Sequence, residues 1–296
     1  MRILPLCSTI FVGRRFSHAW TSCSDDRAGL ATRPLRYEAR HRRYHPASMK
    51  LCVLVPAYKC GDLIGEVCQR VSLPGPDDEI IVVDDCSPDD TGARARSVAR
   101  VFVHRNPVNM GYGGTSRRLY DLAFERGADI AINIHGDLGH RPEDIPLLTD
   151  ALNLQPAPDI VIGSRLLYLF REAKQRGWGT LLTNRQLRHG MPLKRFLGHV
   201  ALTEMQNFVY RSRLHCFHEG MRACRRNVIE WIAKTDFPAG YGYDYELVYQ
   251  AHRRGLKIHE VPVPPTYDPR VKTAAPPYKY GFLVLRHMLR VASKGR

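Results

Sequence analysis

Five short polar clusters have residue types and spacings that could do chemistry. They are Pro56-Ala57-Tyr58-Lys59, Asp84-Asp85-Cys86-Ser87, the run from Asn109 through Gly111 and Gly113 to Gly114, His135-Gly136-Asp137, and Gly163-Ser164-Arg165. A glycine run lets backbone approach a diphosphate with no Cβ in the way. If that run opens a helix, the first turn adds amide donors for an anion. Taken alone, the paired aspartates also fit a plainer reading in which Ser87 or Asp89 caps the helix that follows.

The elements around these clusters explain why they would meet. Residues 50–55 form a continuous apolar run closed by Pro56, the pattern of a buried parallel strand. Residues 62–71 carry Leu63, Ile64, Val67 and Val71 at helical spacing. Strands are then expected at 79–83, 101–104, 130–134 and 160–162, separated by helices at 90–100, 114–126 and 142–152. Alternation of this kind predicts an α/β fold with a mostly parallel sheet flanked by helices, in a single domain. Such sheets bind ligands outside the carboxyl ends of their strands, where the clusters all fall. A dinucleotide fingerprint would follow the first strand. Here the glycines follow the third, which argues against a Rossmann oxidoreductase.

In order and spacing, residues 50–270 resemble the family 2 glycosyltransferases, and within them the dolichyl- or undecaprenyl-phosphate sugar synthases. Those enzymes show VIPAYNE, VDDxSxDxT, NxGxGxA, DADxQHxPE, GSR and SGFRA. The counterparts here are VLVPAYKC, VVDDCSPDDTG, NPVNMGYGGTS, IHGDLGHRPED, GSRLL and EGMRACRR. The resemblance implies a GT-A fold and inverting transfer of a sugar from a UDP- or GDP-linked donor to an acceptor, with a polyprenyl phosphate as the expected lipid acceptor. It also implies that Pro56, Ala57 and Tyr58 run along the base, with Asp85 on the base edge and Asp84 close by. Asn109, Gly113 and Gly114 would lie against ribose and diphosphate. Asp137 would hold a divalent cation, Mn2+ or Mg2+, on the two phosphates.

Arg165, Arg213 and Arg222 would meet an acceptor phosphate, and Glu219, Asp244 or Glu246 could serve as base for a hydroxyl acceptor. The sequence departs from the family pattern at His135, where the first metal-site Asp is expected, at Gly139 for Gln, and at Lys59-Cys60 for Asn-Glu. His135 is either a metal ligand or a neutral histidine bonded within its own loop. A family 2 fold that binds a nucleotide sugar but transfers it weakly or not at all is the alternative reading.

The formal charge of +15 is uneven. Residues 1–48 hold nine Arg and three acids, and seven basic residues with no acid follow Asp268. The middle therefore carries only +15 − 6 − 7 = +2. Charge gathered at the ends suits tails and membrane-surface segments rather than a nucleic-acid-reading body. Residues 1–48 lack hydrophobic periodicity and are expected to be a basic extension, disordered or ahead of the true start at Met49. Residues 271–296 are expected as a basic tail with an amphipathic helix. Its face of Phe282, Leu285, Met288 and Leu289 beside Arg286, Arg290 and Lys294 fits a peripheral membrane contact or a helix docked on the domain. The eight cysteines show no metal-ligand spacing, which predicts reduced thiols and a cytoplasmic protein.

Overall fold

A computed structural model describes residues 49–183, 191–266, 270 and 277–294, all within one compact unit spanning Arg42–Arg296. The expected basic extension, residues 1–48, lies outside the described residues. Seven strands form the sheet: β1 (Leu51–Ala57), β2 (Glu79–Asp84), β3 (Val101–Arg105), β4 (Ile130–Asn133), β5 (Ile160–Ser164), β6 (Arg222–Arg225) and β7 (Ile258–Pro262). Their order is β3-β2-β1-β4-β6-β5-β7. β1 pairs in parallel with both β2 and β4, so the crossover direction reverses there and opens a crevice at its carboxyl end.

The strands alternate buried side chains between two cores because both faces are covered. Cys52 and Leu54 join one core with Leu119, Val228 and Leu247 from α3 (Gly111–Glu125), α8 (Arg226–Ala233) and α9 (Tyr243–Arg253). Leu51, Val53 and Val55 join the other, with Ile64 and Val67 of α1 (Gly61–Arg70), Ala95 of α2 (Thr91–Arg96) and Leu148 of α4 (Ile145–Leu152). A third, smaller cluster holds α5 (Arg165–Arg176), α6 (Trp178–Thr183) and α7 (Leu193–Tyr210) together through Leu169, Leu181 and Phe196.

Two elements differ from the sequence reading. The EGMRACRR segment, which is not among the expected strands, runs into β6, which is antiparallel to both β4 and β5. Four residues with one inward Arg give too little alternation to register as a strand. The C-terminal helix α10 (Pro277–Lys294) is docked on the domain, one of the two alternatives the sequence offered, but with Val284 and Met288 as the buried residues in the first core. Met288 therefore does not share the outward face with Phe282, Leu285 and Leu289, which are exposed.

Candidate active site

The loop after β1 is tied to the loop after β2. Asp85 N–H donates to the Ala57 carbonyl at 2.8 Å, and Lys59 N–H to Ser87 Oγ at 3.1 Å. Tyr58 is left exposed beside Ala57. Asp84 is fully buried, with Oδ2 at 2.6 Å from Arg105 Nη1 and Oδ1 accepting from Ser87 N–H at 2.9 Å. Asp85 Oδ1 accepts from Asn106 Nδ2 and Met110 N–H at 2.8 and 2.7 Å, and Oδ2 accepts from Gly111 N–H at 2.9 Å. Both carboxylates are thus engaged in bracing the loops after β2 and β3. Neither Ser87 nor Asp89 sits at the N-cap of α2, which is Asp90, although Asp89 Oδ1 accepts from Thr91 N–H at 3.3 Å.

The glycine run opens α3 as expected, but its amides are already engaged. Gly113 and Gly114 N–H donate to the Ala239 carbonyl at 2.7 and 3.1 Å. A Cβ on Gly113 would sit 2.0 Å from the Pro238 carbonyl oxygen. Glycine is required there by the incoming 238–239 backbone, which takes the place that the sequence reading gave to a diphosphate. Asn109, exposed at the same loop, donates from Nδ2 to the Asp85 carbonyl at 3.3 Å.

The antiparallel run of β6 brings the remaining groups together. Its first residue, Arg222, is in register with Asn133 at the end of β4 and with Ile162 near the end of β5. Glu219 and Gly220 therefore arrive at the same sheet edge as His135 and Arg165. A Cβ on Gly220 would lie 2.1 Å from His135 Nε2, so the Nε2 end of the imidazole abuts that glycine and leaves no room for a side chain. Asp137 Oδ1 accepts from Gly139 N–H at 2.9 Å. A Cβ on Gly139 would lie 2.9 Å from Asp137 Oδ1 and 3.8 Å from His135 Nδ1, so both candidate ligands border one small space.

His135 Nε2 is 3.4 Å from Tyr112 Oη, and Tyr112 O–H donates to Asp244 Oδ1 at 3.1 Å. Burial, reinforced by neighbouring His140, pushes His135 down to about 3 and keeps the ring neutral, as a metal-binding imidazole must be. Among the described residues no group of three or more His, Cys, Asp or Glu is placed to hold a metal. Further coordination positions would have to come from a ligand or water.

The acceptor-side residues are paired with one another. Arg165 Nε donates to both oxygens of fully buried Glu219 at 2.9 Å. Burial pushes the Glu219 carboxyl up, but Arg165 and His140 outweigh it and hold the group well below the usual carboxylate range. Arg222 has no exposed surface and is paired to Asp244, so it cannot touch an acceptor as the sequence reading expected. Burial raises the Asp244 carboxyl against the pull of that guanidinium.

Glu246 also leaves the expected site. Residues two apart on a helix do not share a face, and Glu246 pairs with His287 and Arg290 of α10. Arg213 is exposed on the turn after α7. The sequence reading missed His199 and His218, whose rings stand 6.0 Å apart between α7 and the Arg165–Glu219 pair. No motif spacing announces them.

Burial pushes His199 down to about 4 and His218 to about 3. Both folded values lie below the unfolded value of about 6.5. The unfolded chain therefore binds two more protons in that window, and stability is lost as pH falls below about 6.5. Each histidine contributes about 1.4 kcal/mol per pH unit there. Urea midpoints should fall steadily from pH 7 to pH 5, and His218→Gln should flatten the slope. Equal midpoints across that range would reject buried neutral histidines.

The strand order and flanking helices define a GT-A-type α/β fold. The family model for glycosyl transferase family 2 matches residues 52–232, and the chain belongs to that family. Polyprenol monophosphomannose synthase of Mycolicibacterium smegmatis is 28% identical over 222 residues, covering 73% of this chain and 77% of that one. Undecaprenyl-phosphate mannosyltransferase of Micrococcus luteus is 27% identical over 220 residues, covering 73% and 83%. Glucosyl-3-phosphoglycerate synthase from Mycobacterium tuberculosis was solved with Mn2+, UDP-glucose and phosphoglyceric acid. It superposes with a TM-score of 0.57 at 22% identity, covering 83% of this chain and 81% of that one, a likeness of fold.

Proposed function

We propose that the protein transfers a sugar, with inversion, from a UDP- or GDP-linked donor to a polyprenyl phosphate, with a divalent cation held by Asp137 and His135. The observation that carries this reading is the convergence of Asp137 Oδ1 and His135 Nδ1 on one space at the sheet's carboxyl edge, beside Asp244 and Arg165. One carboxylate oxygen and one neutral imidazole nitrogen form a donor set that suits Mn2+ better than Mg2+. The bound cation would act as a Lewis acid that offsets charge on the departing nucleoside diphosphate. Pro56, Ala57 and Tyr58 would lie along the base, Asn109 near the ribose, and Asp85 would fix the loop that carries Asn109.

The carboxylates of the acceptor side favour an anionic acceptor. Glu219 is committed to Arg165 and Asp244 to Arg222. Neither stands free as a general base, and a phosphate monoester attacks without one. The names of the two mannosyl relatives support the same acceptor class. His135 in place of a carboxylate favours the second reading, a fold that binds the donor and transfers slowly.

The test is transfer of labelled sugar from UDP-glucose and GDP-mannose to a short-chain polyprenyl phosphate, with Mn2+ or Mg2+. Organic-soluble product with Mn2+ is expected, and His135→Asp should shift metal preference toward Mg2+. Donor-induced thermal stabilisation without product from any donor would instead support the binding-only reading.

A further inference from the structure

Fifteen large apolar side chains stand exposed among the described residues, and ten of them lie on α6, α7 and α10. On α7, Leu193, Leu197, Met205 and Phe208 are exposed, while Phe196, Thr203, Gln206 and Tyr210 are buried. At 100° per residue the exposed four fall within about 120° of arc. On α10, Phe282, Leu285 and Leu289 are exposed and share about 60°. Val284, His287 and Met288 of that helix face the core. The two helices pack together, and Tyr210 Oη of α7 lies 2.6 Å from His287 Nδ1 of α10.

Single exposed apolar residues need no explanation, but aligned stripes on two touching helices mark an interaction surface. Its charge indicates the partner. α10 contains no acidic residue, and α7 contains one, Glu204. Lys194, Arg211, Arg213 and Arg286 are exposed beside the stripes. An apolar arc bordered by Lys and Arg is the pattern of a helix lying in an anionic lipid interface. Each basic side chain near such a surface adds about 1 kcal/mol of attraction. Among the described residues no helix is long and apolar enough to cross a membrane, so the contact would be peripheral.

We infer that α7 and α10 together seat the domain on an anionic bilayer, with Phe208, Phe282 and Leu289 entering the interface. α7 is then the wall between lipid and active site. Its outward stripe meets the headgroups, while His199 on its inner side faces His218 and the Arg165–Glu219 pair. The purpose of this surface rests on the proposed polyprenyl-phosphate acceptor; the surface itself can be tested without it.

The experiment is vesicle flotation of the full chain with phosphatidylcholine alone and with phosphatidylcholine plus phosphatidylglycerol. Residues 1–48 carry a charge of +6 and could bind anionic lipid by charge alone. The variant is therefore Leu197→Ser, Phe208→Ser, Phe282→Ser and Leu289→Ser combined, which leaves every charge in place. Wild type should float with anionic vesicles, and the variant should bind them at least about tenfold more weakly. The variant's melting temperature should be unchanged, because the four side chains are already exposed.

Equal flotation of variant and wild type, or no flotation of either, would overturn the inference. So would a wild-type dimer in sedimentation velocity that the variant abolishes, which would assign the face to a second copy. Transfer to a short-chain, water-dispersed polyprenyl phosphate separates the two proposals. Vesicle binding that depends on the stripes, without transfer by wild type, would leave the surface standing and reject the acceptor.

Discussion

Asp137→Ala is expected to lower sugar transfer about a thousandfold while the protein stays folded. Asp137 is half-buried on a loop, and its one described hydrogen bond is from Gly139 N–H. Losing that bond costs about 1 kcal/mol, which a domain of this size tolerates. The carboxylate matters far more to the reaction. Among the described residues it is the one carboxylate at the shared space not committed to an arginine, so in the proposed site its loss removes the anionic anchor for the cation. Lewis-acid stabilisation of a departing diphosphate is worth several kcal/mol, and about 4 kcal/mol corresponds to a thousandfold rate. Two measurements check it: transfer under saturating donor, and Mn2+ binding in the presence of UDP followed by electron paramagnetic resonance. Both should fall together, with urea midpoints near wild type. Wild-type turnover, or lost turnover with unchanged Mn2+ binding, would remove Asp137 from the metal site.

Arg222→Met should destabilise the fold by about 3–5 kcal/mol, the usual result of stranding one member of a buried ion pair. The Arg222 guanidinium has no exposed surface and is enclosed by Tyr112, Tyr120 and Tyr243. Its partner Asp244 is buried too and has the neutral Tyr112 hydroxyl as its other donor. Removing the cation leaves a carboxylate that must either stay charged without a counter-ion or take up a proton. Replacing both residues, Arg222→Met with Asp244→Leu, should recover most of the stability, since an apolar pair of similar volume is often neutral in such places. The recovered double variant should still lose transfer, because Tyr112 and His135 lose the group that fixes them. Urea denaturation of these two variants and of Asp244→Leu alone measures the coupling. A loss below about 1 kcal/mol in Arg222→Met would show that the buried pair does not hold the fold together.

The class of fold and the positions of the reactive loops were legible in the linear order of residues. Buried parallel strands must be apolar on both faces, so Leu51–Val55, Glu79–Val83 and Ile130–Ile132 stood out as short β-branched runs. Chain direction then fixed their carboxyl ends, and with them the polar clusters. The β6 strand was not legible, because its pairing is set by β4 and β5 across long sequence separations. That one antiparallel strand decides what the site contains. It delivers Glu219 to Arg165, sets Gly220 against His135 Nε2, and sinks Arg222 onto Asp244.

Glycine motifs and paired aspartates likewise tell what the backbone allows, not what fills the space. Only the packed structure shows the Ala239 carbonyl on the Gly113 and Gly114 amides and Asp85 holding the glycine loop. Arginines read alike in sequence, and burial alone separates the structural Arg222 from the partly exposed Arg165. The sequence by itself determined the family resemblance, the succession of strands and helices in the first half and the strand ends at which the polar clusters lie. Which side chains meet there was decided by tertiary pairing, because a hydrogen bond acts over about 3 Å and sequence spacing does not encode contacts across elements.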